Sequence, residues 1–194
     1  MDFCIASSIT MAQKYSKEWL IENYEQNELL KYLYFWGHTP AKTGFIDKSC
    51  FSQWYPAPFE VDGRVYKTAE HWMMAKKALL FGDESSYDKI VDCNKPGEAK
   101  DLGRQVLNYN EDIWKQHRYD IVRTGNIHKF QQHTSLADFL LATDKRILVE
   151  ASPVDAIWGI GLSKDSADID YPNKWRGLNL LGFALMEVRD ILAR

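Results

Sequence analysis

Residues 68–82 read TAEHWMMAKKALLFG, and this stretch predicts a buried helix. Thr68 is a residue type that caps helix N-termini and Gly82 one that ends helices, so we place the helix at residues 69–81. Its Trp, Met, Ala and Leu side chains fall on several faces of the helix rather than on a single stripe. Because a helix with this pattern is covered by protein on most sides, we expect it to lie largely in the core.

The segments around this helix contain strand signals. Within residues 59–66, Asp62-Gly63 separates two short β-like runs, which is typical of a hairpin with a type I′ turn. The aromatic run at residues 32–36 and the apolar run at residues 146–150 are two further strand candidates.

Periodic apolar residues predict further helices, and segments rich in Gly, Pro, Asp and Ser predict loops. The loops are expected at residues 37–52 and 151–175, and a loop as long as the second is often functional. The helices are expected at residues 13–31, 84–91, 96–107, 111–132 with an interruption near Gly125, 135–142, and 178–193.

Together these elements predict an α+β fold, namely a predominantly helical single domain with one small β-sheet. The sheet would be built from residues 32–36, 59–66 and 146–150. We expect residues 1–31 to form an N-terminal helical extension that packs on a main domain of residues 32–194. A chain of 194 residues is long enough for one domain with a substantial core.

Composition excludes several classes of function. The 24 Lys and Arg residues against 27 Asp and Glu residues give a net charge of −3, which argues against bulk electrostatic binding of nucleic acid. The odd cysteine count (Cys4, Cys50 and Cys93) and the lack of a CxxC pattern argue against a disulfide framework and structural zinc. We expect a cytoplasmic protein with no signal peptide, no membrane segment, no metal and no other cofactor.

Glu70 is the first candidate for chemistry. It lies in the first turn of an otherwise apolar helix, where the helix dipole favours the carboxylate and burial favours its protonated form. Such a group can orient a water molecule or stabilise a cation, although it can equally serve only the helix dipole. Lys77 lies two turns further along the same face, at a spacing that suits opposite ends of a nucleotide-like ligand or two solvated groups.

Aromatic residues beside glycines supply the other candidates. Seven Trp, ten Tyr and nine Phe residues form either an aromatic core or a pocket with flat rings that stack on a planar ligand. Asp155 and the Trp158-Gly159-Ile160-Gly161 run place one ring beside flexible backbone, where the Trp either contacts a ligand or anchors the loop as a buried residue. Arg104 could hold a phosphate bidentately or make a structural ion pair. The remaining candidates for ligand contact are Trp36, Gly37, Ser52, Trp54 and Asn179.

A set of short motifs then resembles the NADAR, or YbiA-like, family. The motifs occur in the family's order from about residue 32 to the C-terminus, and the first 30 residues lie outside the resemblance. They are FWG at 35–37, CFSQWYPAPF at 50–59, TAEH at 68–71, AKK at 75–77, GR at 103–104, LAT at 141–143, LVE at 148–150, DAIWGIG at 155–161, and NLLG at 179–182 followed by Leu185, Met186 and Arg189.

The resemblance implies an N-glycosidase that hydrolyses a ribosyl C1′–N bond. Its implied substrates are phosphorylated aminopyrimidine ribosides of riboflavin synthesis, or ADP-ribosylated guanine in nucleic acid. Glu70 would be the base or oxocarbenium stabiliser, Asp155 would bind sugar hydroxyls or assist proton transfer, and Trp158 would stack on the base. Lys77 and Arg104 would bind phosphate, and Gly159 and Gly161 would contact the substrate.

Two other classes of function stay open at this point. One is a non-catalytic module that binds NAD or ADP-ribose in the same pocket. The other is an interaction protein that uses its N-terminal helix.

Overall fold

The computed structural model describes residues 12–26 and 29–194. In this part of the chain, four strands and seven α-helices are joined by loops that include 3-10 turns at Lys48–Phe51 and Pro172–Lys174. The strands are β1 (Tyr32–Phe35), β2 (Phe59–Val61), β3 (Arg64–Tyr66) and β4 (Ile147–Glu150). The helices are α1 (Lys17–Glu25), α2 (Ala69–Leu80), α3 (Glu84–Asp92), α4 (Pro96–Arg104), α5 (Glu111–Gln132), α6 (Thr134–Leu141) and α7 (Leu180–Leu192).

Helix α2 lies at the centre of the molecule, as its sequence predicts. The Thr68 side chain caps it by accepting a hydrogen bond from the backbone N–H of His71, and Gly82 follows its end with a φ of +70°. Helices α3, α4 and α5 all pack against it, and eight of its twelve residues are buried. The expectation of a buried helix here is confirmed.

The strands confirm the α+β class but do not form the single sheet that was expected. Among the described residues, β1 pairs with β4 in parallel, and β2 pairs with β3 as a separate antiparallel hairpin. Asp62 and Gly63 both have positive φ, as a type I′ turn requires. One face of the hairpin packs on the core, where Phe59 and Tyr66 contact the ring of Trp72. The hairpin therefore contributes to the core through its side chains and does not extend the other sheet.

Three helices differ from the sequence prediction in continuity or by more than two residues at an end. Helix α5 continues through Gly125 without the expected interruption, because this glycine marks a close contact: a Cβ there would overlap the indole of Trp72. Helix α4 ends at Arg104 rather than at residue 107. Helix α1 covers nine residues instead of the predicted 13–31, and residues 1–11 and 27–28 of the expected extension lie outside the described residues.

Helix α1 packs on the rest of the chain. Its Leu20 side chain is completely buried, and the Lys17 Nζ donates a hydrogen bond of 2.5 Å to the carbonyl oxygen of Trp175. Just before the helix, the backbone N–H of Lys14 donates to Glu187 Oε1 at 2.8 Å. The segment before β1 is therefore attached to the helix at the other end of the chain.

Helix α7 fixes the position of β4. Asn179, which precedes the helix in the left-handed conformation (φ +55°), donates through Nδ2 to the carbonyl oxygen of Leu148 at 2.9 Å. Its Oδ1 accepts a hydrogen bond of 3.0 Å from the backbone N–H of Glu150. These two bonds hold the C-terminal end of β4, where the long loop of residues 151–175 begins. None of the described helices has the length and apolar character needed to span a membrane.

Candidate active site

A cavity of about 700 Å³ opens between α2, α4 and the ends of β1 and β4. This volume is within the range of ligand pockets in proteins. The residues that line it are Trp36, Gly37, His38, Ser52, Gln53, Trp54, Glu70, Met73, Met74, Lys77, Lys100, Gly103, Arg104, Trp114, Glu150, Ser152, Val154, Asp155, Ile157, Trp158 and Leu181.

Glu70 is buried in the wall of this cavity. Its backbone N–H donates to the carbonyl oxygen of Gln53 at 2.9 Å, which ties the start of α2 to the loop after β1. Glu70 is 3% exposed, and its Oε1 has no hydrogen-bond partner among the described residues. Burial raises the pKa of Glu70 to about 7, while the Lys100 charge and a hydrogen bond from the Trp54 side chain oppose this shift. The carboxyl group can therefore exchange a proton near neutral pH.

A second carboxyl group, that of Glu150, lines the same cavity at the end of β4. Its Oε2 is inaccessible to solvent and has no hydrogen-bond partner in the described part of the chain. Burial, followed by the nearby charges of Asp155 and Glu70, raises the pKa of Glu150 to about 8. The sequence prediction did not include Glu150 as a site residue. The available signal was a carboxylate that ends an otherwise apolar strand.

Asp155 organises the loop that follows β4. Its Oδ1 accepts hydrogen bonds of 2.8 Å from the backbone N–H groups of both Ile157 and Trp158. Its backbone oxygen accepts a further bond of 3.1 Å from Gly161. This tight turn presents the Trp158 side chain at the cavity wall.

Aromatic rings form much of the remaining wall. Trp54, Trp114 and Trp158 line the cavity, and Trp36 stands at its rim with 61% of its surface exposed. The ammonium group of Lys100 lies 5.8 Å from the centre of the Trp54 ring. Rings arranged in this way provide flat apolar faces on which a planar ligand can stack.

Lys77, Arg104 and Lys100 are positively charged residues that line the cavity, and they differ in which groups of the chain already bind them. Lys77 Nζ donates to the carbonyl oxygen of Gly103 at 2.8 Å and lies 4.2 Å from the centre of the Tyr109 ring, so it holds α4 on α2. Arg104 is largely exposed and pairs at 3.0 Å with Asp101 on its own helix. Lys100, which the sequence prediction omitted, is the cation whose charge favours ionisation of both Glu70 and Glu150.

Comparison with known proteins identifies the family of this chain. The sequence matches the profile of the NADAR domain over residues 34–193. The chain belongs to the NADAR family. It is 46% identical to the N-glycosidase R617 of Acanthamoeba polyphaga mimivirus over 165 residues, which cover 82% of this chain and 95% of that protein. It is 34% identical to the N-glycosidase YbiA of Escherichia coli over 147 residues, which cover 76% of this chain and 81% of that protein.

The NADAR fold is also found in a solved structure. The NMR structure of Escherichia coli YbiA superposes with a TM-score of 0.67 at 30% sequence identity, over 84% of this chain and 85% of that chain.

In this NADAR domain, most of the residues predicted from sequence lie together. Nine of them line the cavity, namely Glu70, Asp155, Trp158, Trp36, Gly37, Ser52, Trp54, Lys77 and Arg104. Gly159, Gly161 and Asn179 were predicted to bind substrate but are not among the lining residues. A Cβ on Gly159 would lie 2.9 Å from the carbonyl oxygen of Glu150, so this glycine allows the loop to pack on β4. Gly161 adopts a φ of +66°, and Asn179 holds β4 as described above.

Besides Lys100 and Glu150, the cavity contains other residues that were not predicted as site residues. Met73, Met74 and Trp114 are apolar, and in the sequence they are indistinguishable from core residues. The described residues contain no group of three or more His, Cys, Asp or Glu side chains that could hold a metal ion.

Proposed function

We propose that this chain hydrolyses the ribosyl C1′–N bond of a phosphorylated, nucleotide-like substrate, with Glu70 as the carboxylate that acts on water and on the sugar. The observation that carries the proposal is the Glu70 side chain, which is buried at the cavity wall with an oxygen that no described residue satisfies. The reaction class has independent support. Family membership and relatives named N-glycosidases make the chain a hydrolase of N-glycosyl compounds.

The chemistry of the bond explains why a buried carboxylate is needed. As the C1′–N bond lengthens, positive charge develops on the sugar, and a fixed anion beside C1′ stabilises that charge. The same carboxylate can take a proton from the attacking water. Because Glu70 is shielded from solvent, its charge acts through a medium of low dielectric constant, where it has a larger effect than in water.

The neighbouring residues suit the other parts of such a substrate. The indole of Trp158 is available to stack on the base, and Asp155, which shapes the turn that carries it, is a candidate partner for the sugar hydroxyls. Arg104 is the candidate for the phosphate. Its exposed guanidinium can release the Asp101 carboxylate and bind the more highly charged phosphate instead. Lys77 is the weaker candidate, since its Nζ already donates to Gly103.

Two substrate classes share this chemical unit. One contains the aminopyrimidine ribosyl phosphates of riboflavin synthesis, and the other contains ADP-ribosylated guanine. A panel with both classes, with the released base followed by chromatography, would identify the preferred one. Tight binding of ADP-ribose by the wild-type chain without release of any base would instead favour a non-catalytic binding module.

The central test is the substitution Glu70→Gln, which removes the charge and nearly preserves the shape of the side chain. We expect kcat on the preferred substrate to fall about 10²- to 10⁴-fold, with a smaller change in KM. Glu60→Gln, an exposed carboxylate on β2 outside the cavity, is the matched control and should behave as wild type. If a folded Glu70→Gln variant keeps near wild-type kcat, the assignment of Glu70 is wrong.

A further inference from the structure

The role of Glu70 leaves the second carboxyl group of the cavity unexplained. We propose that Glu150 is the general acid that protonates the leaving nitrogen as the C1′–N bond breaks. This inference rests on the proposed function, since it assigns a further catalytic residue to the same reaction. It starts from the geometry at the end of β4.

The backbone holds Glu150 in a fixed position. Its N–H donates to Asn179 Oδ1 at 3.0 Å, and its carbonyl oxygen accepts bonds from Ser152 at 2.9 Å and Ile160 at 3.0 Å. The side chain then projects from the last residue of a strand into the cavity. A general acid needs this kind of support, because proton donation requires a defined distance to the accepting atom.

The surroundings of the Glu150 carboxyl group favour its protonated form. Its buried Oε2 receives no hydrogen bond from the described residues, and an ionised oxygen would lack compensation there. The charged groups that act on it are Glu70 from α2, Asp155 from the loop after β4 and Lys100 from α4. Two of these three are anions, and they add to the effect of burial.

Glu70 has a different environment in the same cavity. The Trp54 side chain, Lys100 and Arg104 all favour its ionised form. The charge of Asp155 opposes ionisation of Glu70, as it does that of Glu150. Two carboxyl groups whose environments separate their pKa values can divide the roles of acid and base. Of the two carboxyl groups, Glu70 has the environment that favours ionisation more, and Glu150 has the one that favours the bound proton more.

The resulting step balances in protons and electrons. The Glu150 carboxyl proton passes to the leaving nitrogen, which also takes the electron pair of the C1′–N bond. The oxygen of a water molecule bonds to C1′, and one proton of that water passes to the Glu70 carboxylate. The products are the free base and the ribose with a C1′ hydroxyl. Transfer of one proton from Glu70 to Glu150 then restores the starting state.

The test compares two leaving groups in the wild type, Glu150→Gln and Glu70→Gln. The first substrate is an aminopyrimidine N-riboside 5-phosphate, whose leaving nitrogen needs a proton. The second is 4-nitrophenyl ribofuranoside 5-phosphate, which releases a stable phenolate without one. We expect Glu150→Gln to lower kcat/KM about 10²- to 10⁴-fold on the first substrate and less than about fivefold on the second. Glu70→Gln should be slow on both.

The outcomes separate this inference from the proposed function. If the wild type releases no phenolate and no base from either substrate class of the panel, both fail. If the wild type is active but a folded Glu150→Gln variant matches it on the N-riboside, or loses activity equally on both substrates, only the role of Glu150 is wrong. Glu60→Gln, outside the cavity, should match the wild type on both substrates.

A second measurement needs no variant. In the wild type, kcat/KM on the N-riboside should fall as pH rises through the range where Glu150 loses its proton. On the nitrophenyl substrate it should stay level over that range, because no proton donor is needed. An alkaline fall of the same size on both substrates would overturn the proposal.

Discussion

At the scale of single residues, Glu70 and Glu150 are carboxyl groups, each with one oxygen held where the protein excludes water. Each lines the cavity, and each has one buried oxygen that receives no hydrogen bond from the described residues. Such positions lower the stability of the folded chain when the group is charged, and functional sites are where proteins retain them. The stability of this chain should therefore depend on pH in a characteristic direction.

Stability should fall between mildly acidic and mildly alkaline pH, and Glu70→Gln should reduce that fall. The unfolded carboxyl group ionises near its ordinary pKa of 4.5, whereas burial raises the folded pKa of Glu70 to about 7. The penalty is absent below pH 4.5 and complete above about pH 7, where it reaches about 3 kcal/mol. Thermal melts at pH 5 and pH 8 should show the variant more stable than wild type at pH 8 only. An equal gain at both pH values would contradict this.

The phosphate role of Arg104 can be tested separately from the chemistry. Arg104→Ala should raise KM for a 5′-phosphorylated substrate about tenfold and leave KM for the dephosphorylated form unchanged, because a charged hydrogen bond to the phosphate is lost. Steady-state kinetics on both forms give the comparison. Arg64→Ala, at an exposed position of β3 outside the cavity, is the control. Equal changes on both forms would remove Arg104 from phosphate binding.

At the scale of secondary structure elements, the width of the cavity depends on how closely α4 approaches α2. Gly103 permits this approach, because a Cβ there would overlap the Met74 side chain and lie 3.0 Å from the Cβ of Met74. A change of the Met74 rotamer can move the sulfur and Cγ away, but the Met74 Cβ stays in place, so a tight contact of 3.0 Å would remain. Lys100 and Arg104 lie on the same helix, so a shift of α4 would also displace both cations.

Gly103→Ala should therefore lower the free energy of unfolding by about 1–3 kcal/mol. Gly97→Ala on the same helix is a matched control. Its new Cβ would lie 3.5 Å from the Trp54 ring, an ordinary contact, and the higher helix propensity of Ala should leave stability unchanged or up to about 1 kcal/mol higher. Urea denaturation of both variants measures the difference. Equal stabilities would show that α4 tolerates a wider separation.

At the scale of the whole molecule, the segment before β1 contributes to the stability of the fold. Leu20 on α1 is fully buried, whereas Leu29, between α1 and β1, is 91% exposed. We expect Leu20→Ala to cost about 2–5 kcal/mol in the free energy of unfolding, because it leaves a cavity. Leu29→Ala should change it by less than about 0.5 kcal/mol. If chemical denaturation gives both variants wild-type stability, α1 is only an appendage.

The elements that the sequence predicts well are those determined by local interactions. Thr68 and Gly82 bound α2, and Asp62-Gly63 forms the hairpin turn, because a cap or a turn depends on residues only a few positions apart. The burial of α2 was predictable as well, because its apolar pattern can be seen in residues only a few positions apart. Gly125 was misread because its function is to admit the Trp72 ring from another helix, which no neighbouring residue indicates.

The sequence by itself determined the helical character of the chain, its family and the identity of Glu70, Asp155 and Trp158 as candidates. Only the tertiary structure decided that the strands form two sheets, that Asn179 supports β4, and that Lys100 and Glu150 join Glu70 in one cavity. These three charged residues come from α4, β4 and α2. Their protonation depends on burial and on mutual distances, which exist only after the chain has folded.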